Sequence, residues 1–463
     1  MAAAGKRQSS VLLPIGRIAT SMTLEAEILK RIKPTPAQDK KAASVVEQLS
    51  EKVLKEAKKL GVHIDPMLVG SVAKSTHLKD PDIDLFMLYP ESASLDQLKE
   101  TGLEIGRRVL GGKEHYAQHP YVRGRFSGFQ VDLVPAFKIR DTRRKMSAVD
   151  RTPFHTEFVK KNLGKEEQDQ VRLLKRFMKG TECYGAEAKV QGFSGYLCEL
   201  LVMRFGSFRD VLKAASAWKV GEHIELPDYP GKEFDEPLTF IDPVDSGRNV
   251  ASAVSVETML RLVMASREYL AGPDEKFFFP EPRETWEVEK IEEVAGDRLG
   301  NIVAVSLPAL DLIDDVLYPQ LKKSISSVAA MLERADFEID KLTIHVDDSN
   351  HLLIELSSMK LPKEKKHRGP PANSANAKEF LAKWKTLGIS EPYEEDGRWF
   401  VMARREFTRA DDLLKAKLRE TTLGKDIKKI DDSIEIASGD ALLEDRYLAA
   451  LTHHLDDRMP WQR

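Results

Sequence analysis

The sequence predicts an α+β protein of several successive domains, and three observations lead there. At 463 residues the chain accommodates about three domains at roughly 100–200 residues each. Its first half reads as a helix followed by short apolar strands that carry acids. Its second half opens with a strand, a helix and a hairpin, and closes in a charged, helical stretch.

Element by element, Thr35-Pro36 is a helix start, because Thr caps well and Pro suits the first turn. Ala42, Val45, Val46, Leu49, Val53, Ala57 and Leu60 then recur at helical spacing until Gly61. A short strand, Met67-Leu68-Val69, runs into Gly70-Ser71, and Asp82–Leu88 and Phe129–Val134 read as further strands. The second of these pairs with Tyr121–Phe126 through a turn at Ser127-Gly128. From Thr152 to about Leu270 the pattern is mostly helical. Within it, Gln168–Lys179 places Val171, Leu174, Phe177 and Met178 on one face, leaving Lys175 outside it. After a Pro- and Phe-rich boundary at Pro273–Pro282, Asn301–Ser306 reads as a strand and Tyr318–Ala335 as a helix. A hairpin of Lys341–Val346 and His351–Leu356 follows, which makes an RRM-like split βαβ sandwich. Arg398–Val401 reads as a buried strand, and Lys360–Arg368 as a basic loop with the charge to grip RNA phosphates.

Bulk properties exclude several classes. With 71 basic against 74 acidic residues there is no uniformly basic coat, although local basic surfaces are not excluded. Cys183 and Cys198 are too few for a disulfide framework or a four-ligand zinc site, so a reducing, cytoplasmic setting is expected. No apolar run approaches the ~20 residues that span a bilayer, so no membrane partner is expected. Met1–Thr23 holds no acid, three basic residues and the short apolar run Val11–Ile15. An organelle-targeting peptide shares that pattern, but Pro14 interrupts the run, and residues 1–27 are expected to be a disordered arm.

The chemistry concentrates in three acids. Asp82 and Asp84 alternate along one strand and so share a face. Asp132 lies in a second strand between apolar neighbours. If the two strands are adjacent, three carboxylates meet, and only cations relieve their repulsion; hard divalent ions with oxygen ligands suit them. An Asp-x-Asp by itself is also common at solvated strand ends. Gly70-Ser71 upstream adds a place where backbone N–H groups approach a phosphate closely, with Lys74 one turn on. A phosphate cradle, two acids on one strand and a third acid on a later strand form an order more specific than any part.

That order, Gly70–Lys79 followed by Asp82-Ile-Asp-Leu-Phe86, resembles the signature of the DNA polymerase β-like nucleotidyltransferase superfamily. Within it the chain most resembles the archaeal-type (class I) CCA-adding enzymes. The resemblance continues through His115–Tyr121, Val131–Pro135, Asp150–His155, Leu173–Phe177, Tyr184-Gly185, Gly192–Leu200, Asp242-Pro-Val and Arg248–Ala251, with weaker echoes at His367–Pro371 and Leu423–Lys425. It covers nearly everything after Ile28.

The resemblance implies a polymerase β-like catalytic head over residues 28–150, a helical neck over 151–275, an RRM/ferredoxin-like body over 283–407 and a helical tail over 408–463. It implies that Asp82, Asp84 and Asp132 bind Mg2+, that Ser71, Lys74, His155, Lys175 and Tyr184 contact CTP and ATP, and that Arg248 selects the base. Asp82 stands where relatives often have Glu and Lys74 where they often have Arg; Lys keeps the charge without the bidentate fork. The implied activity is addition of C, C and A to the tRNA 3′ end without a nucleic-acid template, body and tail holding the acceptor stem and T-loop side. Dimerisation is left open. The alternatives are a poly(A) polymerase or oligoadenylate synthase, a small-molecule nucleotidyltransferase, and a non-catalytic RNA-binding scaffold.

Overall fold

The computed structural model describes residues 15–116, 120–144, 146–147 and 149–463. The chain divides into two compact units, one of residues 1–281 together with 458–463 and the other of residues 282–457.

In the first unit, helix α1 (Ile15–Ile32) precedes α2 (Pro36–Lys59). Of the arm expected over residues 1–27, positions 1–14 lie outside the described residues. The remainder is a correction, since it belongs to α1, whose Ile28 and Ile32 are buried among neck side chains with Leu24 packed beside them. Leu24, Ile28 and Ile32 repeat every four residues, so one apolar stripe fastens the C-terminal part of α1. Thr35 caps α2 with a reciprocal capping box: its side chain accepts from Gln38 N at 3.3 Å, and Gln38 Oε1 accepts from Thr35 N at 2.8 Å. Such a cap stabilises a helix start by about 1 kcal/mol.

There follow β1 (Asp65–Val69), the single turn α3 (Gly70–Ala73), β2 (Ile83–Pro90), α4 (Leu95–Leu110), β3 (Lys113–Tyr116), β4 (Pro120–Phe126) and β5 (Phe129–Lys138). The strands form one sheet in the order β1-β2-β5-β4-β3, with β2 and β5 parallel and the other neighbours antiparallel. Alternation along β2 and β5 decides what faces where. Ile83, Leu85, Met87, Val131, Leu133 and Phe137 pack with Val45, Leu49 and Val53 of α2 and with Leu98 and Ile105 of α4. Phe86, Leu88, Val134 and Ala136 form a smaller cluster on the opposite face. Asp84 and Asp132 fall on that second face by the same alternation.

The neck comprises α5 (Thr152–Asn162), α6 (Lys165–Gly180), α7 (Gly195–Phe205), α8 (Phe208–Ala215) and α9 (Val256–Ala271). Between α8 and α9 it also holds a three-stranded sheet of β6 (Glu222–Ile224), β7 (Leu238–Asp242) and β8 (Asp245–Asn249), which the helical reading did not anticipate. Val171, Leu174, Phe177 and Met178 are buried in its core as their spacing required. That core also takes in Trp461, stacked on Phe277 with ring centroids 5.5 Å apart.

The second unit begins with α10 (Val288–Ala295), β9 (Ile302–Pro308), α11 (Asp314–Arg334), β10 (Ile339–Val346) and β11 (Ser349–Leu356). Strand, helix and hairpin occur in the expected order. Next come β12 (Glu364–Pro371), α12 (Ala377–Leu387), β13 (Tyr393–Glu395), β14 (Arg398–Arg404), α13 (Ala410–Lys417), β15 (Glu435–Ser438) and α14 (Asp445–Leu455). The main sheet has the order β10-β11-β9-β15, so its fourth strand comes from beyond residue 407, where the body was expected to end. Pairing with β9 hides an edge that would otherwise present free backbone groups. The segment expected as a basic loop is mostly β12, paired with β14 in a separate three-stranded sheet. Among the described residues, no helix is long and apolar enough to cross a membrane.

Candidate active site

Two parallel strands carry the acids. Asp84 of β2 and Asp132 of β5 are direct register partners, so the two carboxylates stand side by side on one face of the sheet. Asp82 sits one residue before β2 and is exposed. Burial, with the like charges of Asp132 and Asp82, pushes the Asp84 carboxyl up to about 7. The Asp82 carboxyl, although solvent reaches it, is also raised by partial desolvation and by Asp132, against the opposing charge of Arg123.

Arg123 of β4 lies across from Asp132 in register and holds it in a fork: Nε donates to Oδ1 at 2.7 Å and Nη2 to Oδ2 at 2.6 Å. Among the described residues the carboxylates therefore do not stand as a ready metal-ligand set, since both oxygens of Asp132 are occupied by a guanidinium. The donors themselves fit a hard divalent cation: all are carboxylate oxygens, and Asp84 pays for its crowding in a raised proton affinity that a cation would relieve.

Gly70 forms the back of the cradle. It turns the chain from β1 into α3 at φ +70°, and a Cβ there would run into the Asp84 carboxylate. Half-buried Ser71 follows it. Lys74 and Lys175 come together from α3's end and from α6, but not as free cations. Lys74 Nζ donates to Glu199 Oε2 at 2.6 Å, and Lys175 Nζ lies 3.0 Å from Thr76 Oγ1 and 3.3 Å from Glu199 Oε1. All three charged side chains are buried. The placement of Lys175 outside the buried face of α6 is thus corrected: it lies on the inward side of the helix, engaged by Thr76 and Glu199. Burial alone would raise the Glu199 carboxyl, yet the two ammonium groups hold it below its ordinary value. Tyr184 borders this group; a Cβ on Gly195 would sit 3.0 Å from its hydroxyl and 3.5 Å from Lys175 Nζ.

A second cluster adjoins the first through Tyr196 of α7. The Lys74 ammonium lies 5.6 Å from the Tyr196 ring centroid, and the His155 ring stacks on that ring at 4.1 Å. His155 Nε2 meets Asp242 Oδ2 at 3.0 Å, and Arg248 Nη1 donates to the same oxygen at 2.9 Å. Burial holds the His155 imidazole below its ordinary pKa despite Asp242, so the ring is neutral near pH 7.

These elements coincide with three families. Residues 50–155 match the nucleotidyltransferase domain, residues 169–279 the second domain of tRNA nucleotidyltransferase, and residues 298–439 the C-terminal domain of the CCA-adding enzyme. The CCA-adding enzyme of Methanosarcina barkeri is 39% identical over 423 residues, 89% of this chain and 93% of the relative. That of Thermoplasma volcanium is 38% identical over 411 residues, 88% and 92% of the two chains. The chain belongs to the CCA-adding enzyme family. It is therefore a nucleotidyltransferase, and enzymes of this fold work with divalent metal ions. Among solved structures, a cytoplasmic RNA terminal U-transferase is similar at 14% identity and a TM-score of 0.44, covering 56% of this chain and 98% of that one.

Arg123, Glu199 and Asp242 do not stand out individually in the sequence. Two of them left a signal. Glu199 is the one acid in the run Gly195–Phe205, and Asp242 ends the run Leu238–Asp242; an acid in an apolar run needs a buried partner. Arg123 left none, because a basic residue in a half-exposed strand is ordinary.

The raised Asp84 carboxyl gives a pH prediction. In the metal-free protein Asp84 keeps its proton up to about 7, against 3.8 for the ordinary carboxyl. The folded state then binds more protons than the unfolded state between those values, so stability falls as pH rises through that window. Divalent ions bind the ionised form. Affinity for Mn2+, followed by electron paramagnetic resonance, is expected to fall about tenfold per pH unit below 7, and the metal-induced rise in Tm to be larger at pH 8 than at pH 6. An affinity flat between pH 6 and 8 would rule out a protonated Asp84 in the empty site.

Proposed function

We propose that the protein adds C, C and A in turn to the 3′ end of tRNA, taking CTP twice and ATP once and releasing pyrophosphate at each step. The adjacency of Asp84 and Asp132 on parallel strands, backed by the Gly70 turn, is the observation that carries this reading. In it, Asp82, Asp84 and Asp132 hold Mg2+, for which an all-oxygen carboxylate set is suited. When bound, the metal ions supply activation of the attacking 3′-hydroxyl and neutralisation of charge on the departing pyrophosphate.

The chain's own groups do the rest by position and charge. Gly70 and Ser71 let backbone N–H groups approach the triphosphate. Lys74 and Lys175 supply the compensating charge, and Glu199 is the internal anion that keeps both ammonium groups together before a triphosphate competes for them. Neutral His155 offers a hydrogen bond without a charge, Tyr184 closes the pocket beside Lys175, and Arg248 reads the base edge. The second unit holds the tRNA acceptor stem and T-loop side, recognising shape more than sequence.

A gel assay tests this with tRNAs lacking CCA, lacking CA and lacking only A, each given labelled CTP or ATP with and without Mg2+. Addition of C, C and A followed by a stop is the expected result. Long A tails would move the activity to that of a poly(A) polymerase, and no incorporation under any condition would leave an RNA-binding scaffold.

A further inference from the structure

Asp242 ends β7, whose five residues are all buried, and its own side chain has no exposed surface. A buried carboxylate is costly unless every lone pair is met. Here Oδ2 accepts from His155 Nε2 at 3.0 Å and from Arg248 Nη1 at 2.9 Å, while Oδ1 accepts from Tyr196 Oη at 3.2 Å and from the Val244 backbone N at 3.1 Å. The donors come from α5, from α7 and from the β7–β8 hairpin. One carboxylate ties these elements together from inside, and its partners reach outward: the Arg248 side chain is 30% exposed and that of His155 13%, against 0% for Asp242.

We propose that Asp242 is a positioning residue for nucleobase selection. By fixing the plane of the Arg248 guanidinium and the edge of the His155 ring, it makes Arg248 discriminate among bases instead of merely attracting them. This rests on the reading of Arg248 as the base-contacting group.

The chemistry requires a fixed donor. Every nucleobase offers acceptors to a guanidinium: O2 and N3 of cytosine, O4 and O2 of uracil, O6 and N7 of guanine, N1 and N7 of adenine. An arginine free to swing satisfies any of them, so its charge alone raises affinity without selectivity. Arg248 is anchored at one end of its fork by Asp242 Oδ2, and a planar guanidinium pinned at one nitrogen has the direction of its other N–H groups set. Those remaining donors carry no protein partner among the described residues. The Asp242–Arg248 pair is neutral overall beside a neutral His155, which leaves hydrogen-bond geometry, and not net charge, to distinguish one base from another. Tyr196 completes the arrangement. Its hydroxyl holds the second oxygen of Asp242 while its ring supports His155, so the carboxylate cannot rotate without breaking a stack as well as a hydrogen bond.

The test is single-nucleotide addition to a tRNA lacking CCA, with kcat and KM measured separately for CTP and UTP, bases that share ring size and differ at the 3 and 4 positions. Asp242→Asn keeps the shape of the side chain, loses its charge and turns one acceptor into a donor facing Arg248 or Tyr196. The ratio of kcat/KM for CTP over UTP is expected to fall at least tenfold, mainly through a rise in KM for CTP, with tRNA affinity unchanged. If the two nucleotides slow by the same factor and the ratio holds, Asp242 is only a structural carboxylate and the proposal is overturned. Should Asp242→Asn fail to fold, Tyr196→Phe removes a single neutral donor from Oδ1 and is expected to lower the ratio about threefold; an unchanged ratio there overturns the proposal equally. Failure of the underlying reading looks different: Arg248→Ala would leave the wild-type ratio intact, or the wild-type protein would add no nucleotide to any tRNA end.

Discussion

Asp132→Ala is expected to lower nucleotide addition at least a thousandfold while leaving tRNA affinity within about threefold. A divalent cation deprived of one carboxylate loses several kcal/mol of transition-state charge stabilisation, and each 1.36 kcal/mol is about tenfold in rate. The loss is compounded by Arg123. Its guanidinium now spends both fork donors on Asp132, and without that partner its charge falls to Asp82 and Asp84, where it competes with the ions those residues would bind. Single-turnover addition of CTP, with Mn2+ titration and filter binding of tRNA on the same preparations, checks each part. A folded Asp132→Ala protein within tenfold of wild-type rate would exclude Asp132 from the reaction centre. In Asp132→Ala combined with Arg123→Ala, metal affinity is expected to recover partly while the rate does not.

Gly70→Ala carries the second large effect and separates two causes. The residue lies at φ +70°, where an L side chain costs about 1–2 kcal/mol, and its new methyl would collide with the Asp84 carboxylate. Activity is expected to fall at least a hundredfold, with Tm lowered by about 2–8 °C. Gly111→Ala is the control: it shares the left-handed backbone at φ +59°, but nothing lies within 4 Å of the added Cβ. It should lose stability and keep activity. If Gly70→Ala behaves like Gly111→Ala, the turn supports the fold without shaping the site.

Much of this site was legible because strand alternation and order are written locally. Asp-Ile-Asp before a run of apolar residues, and Gln-Val-Asp-Leu-Val after a turn at Ser127-Gly128, place acids on a predictable face, and β2 and β5 do pair in register. The same holds for Thr35-Pro36, where the cap chemistry lies within four residues, and for the strand, helix and hairpin that open the second unit. What was not legible is what depends on contacts far apart in sequence. Lys175 was placed outside the buried face of its helix because its burial is decided by Thr76, just past α3, and by Glu199 of α7, both far from it in sequence. The fork of Arg123 on Asp132 follows from strand register, not from composition. The start of α1 was read as part of an arm because the apolar run Val11–Ile15 leading into it is short and interrupted by Pro14; the partner for its apolar stripe is α6, more than a hundred residues on. β15 lacks a pattern of its own, and it is the open edge of β9 that makes it a strand.

The return of residues 458–463 to the first unit means that this unit is discontinuous in the chain and the second is an insertion within it. Its last stitch is Trp461, face to face with Phe277 and donating from Nε1 to Glu268 at 2.7 Å. A buried tryptophan of this kind is worth about 3–5 kcal/mol on removal. Genetic dissection at the obvious boundary, residue 282, would therefore not yield an intact catalytic module: it would leave a hydrophobic seam open, and a weakened fold would masquerade as a lost RNA-binding function. A faithful excision keeps both strands of the splice, joining residue 281 to residue 458 by a short linker, so that the insertion is removed and the enclosing unit still closes on itself.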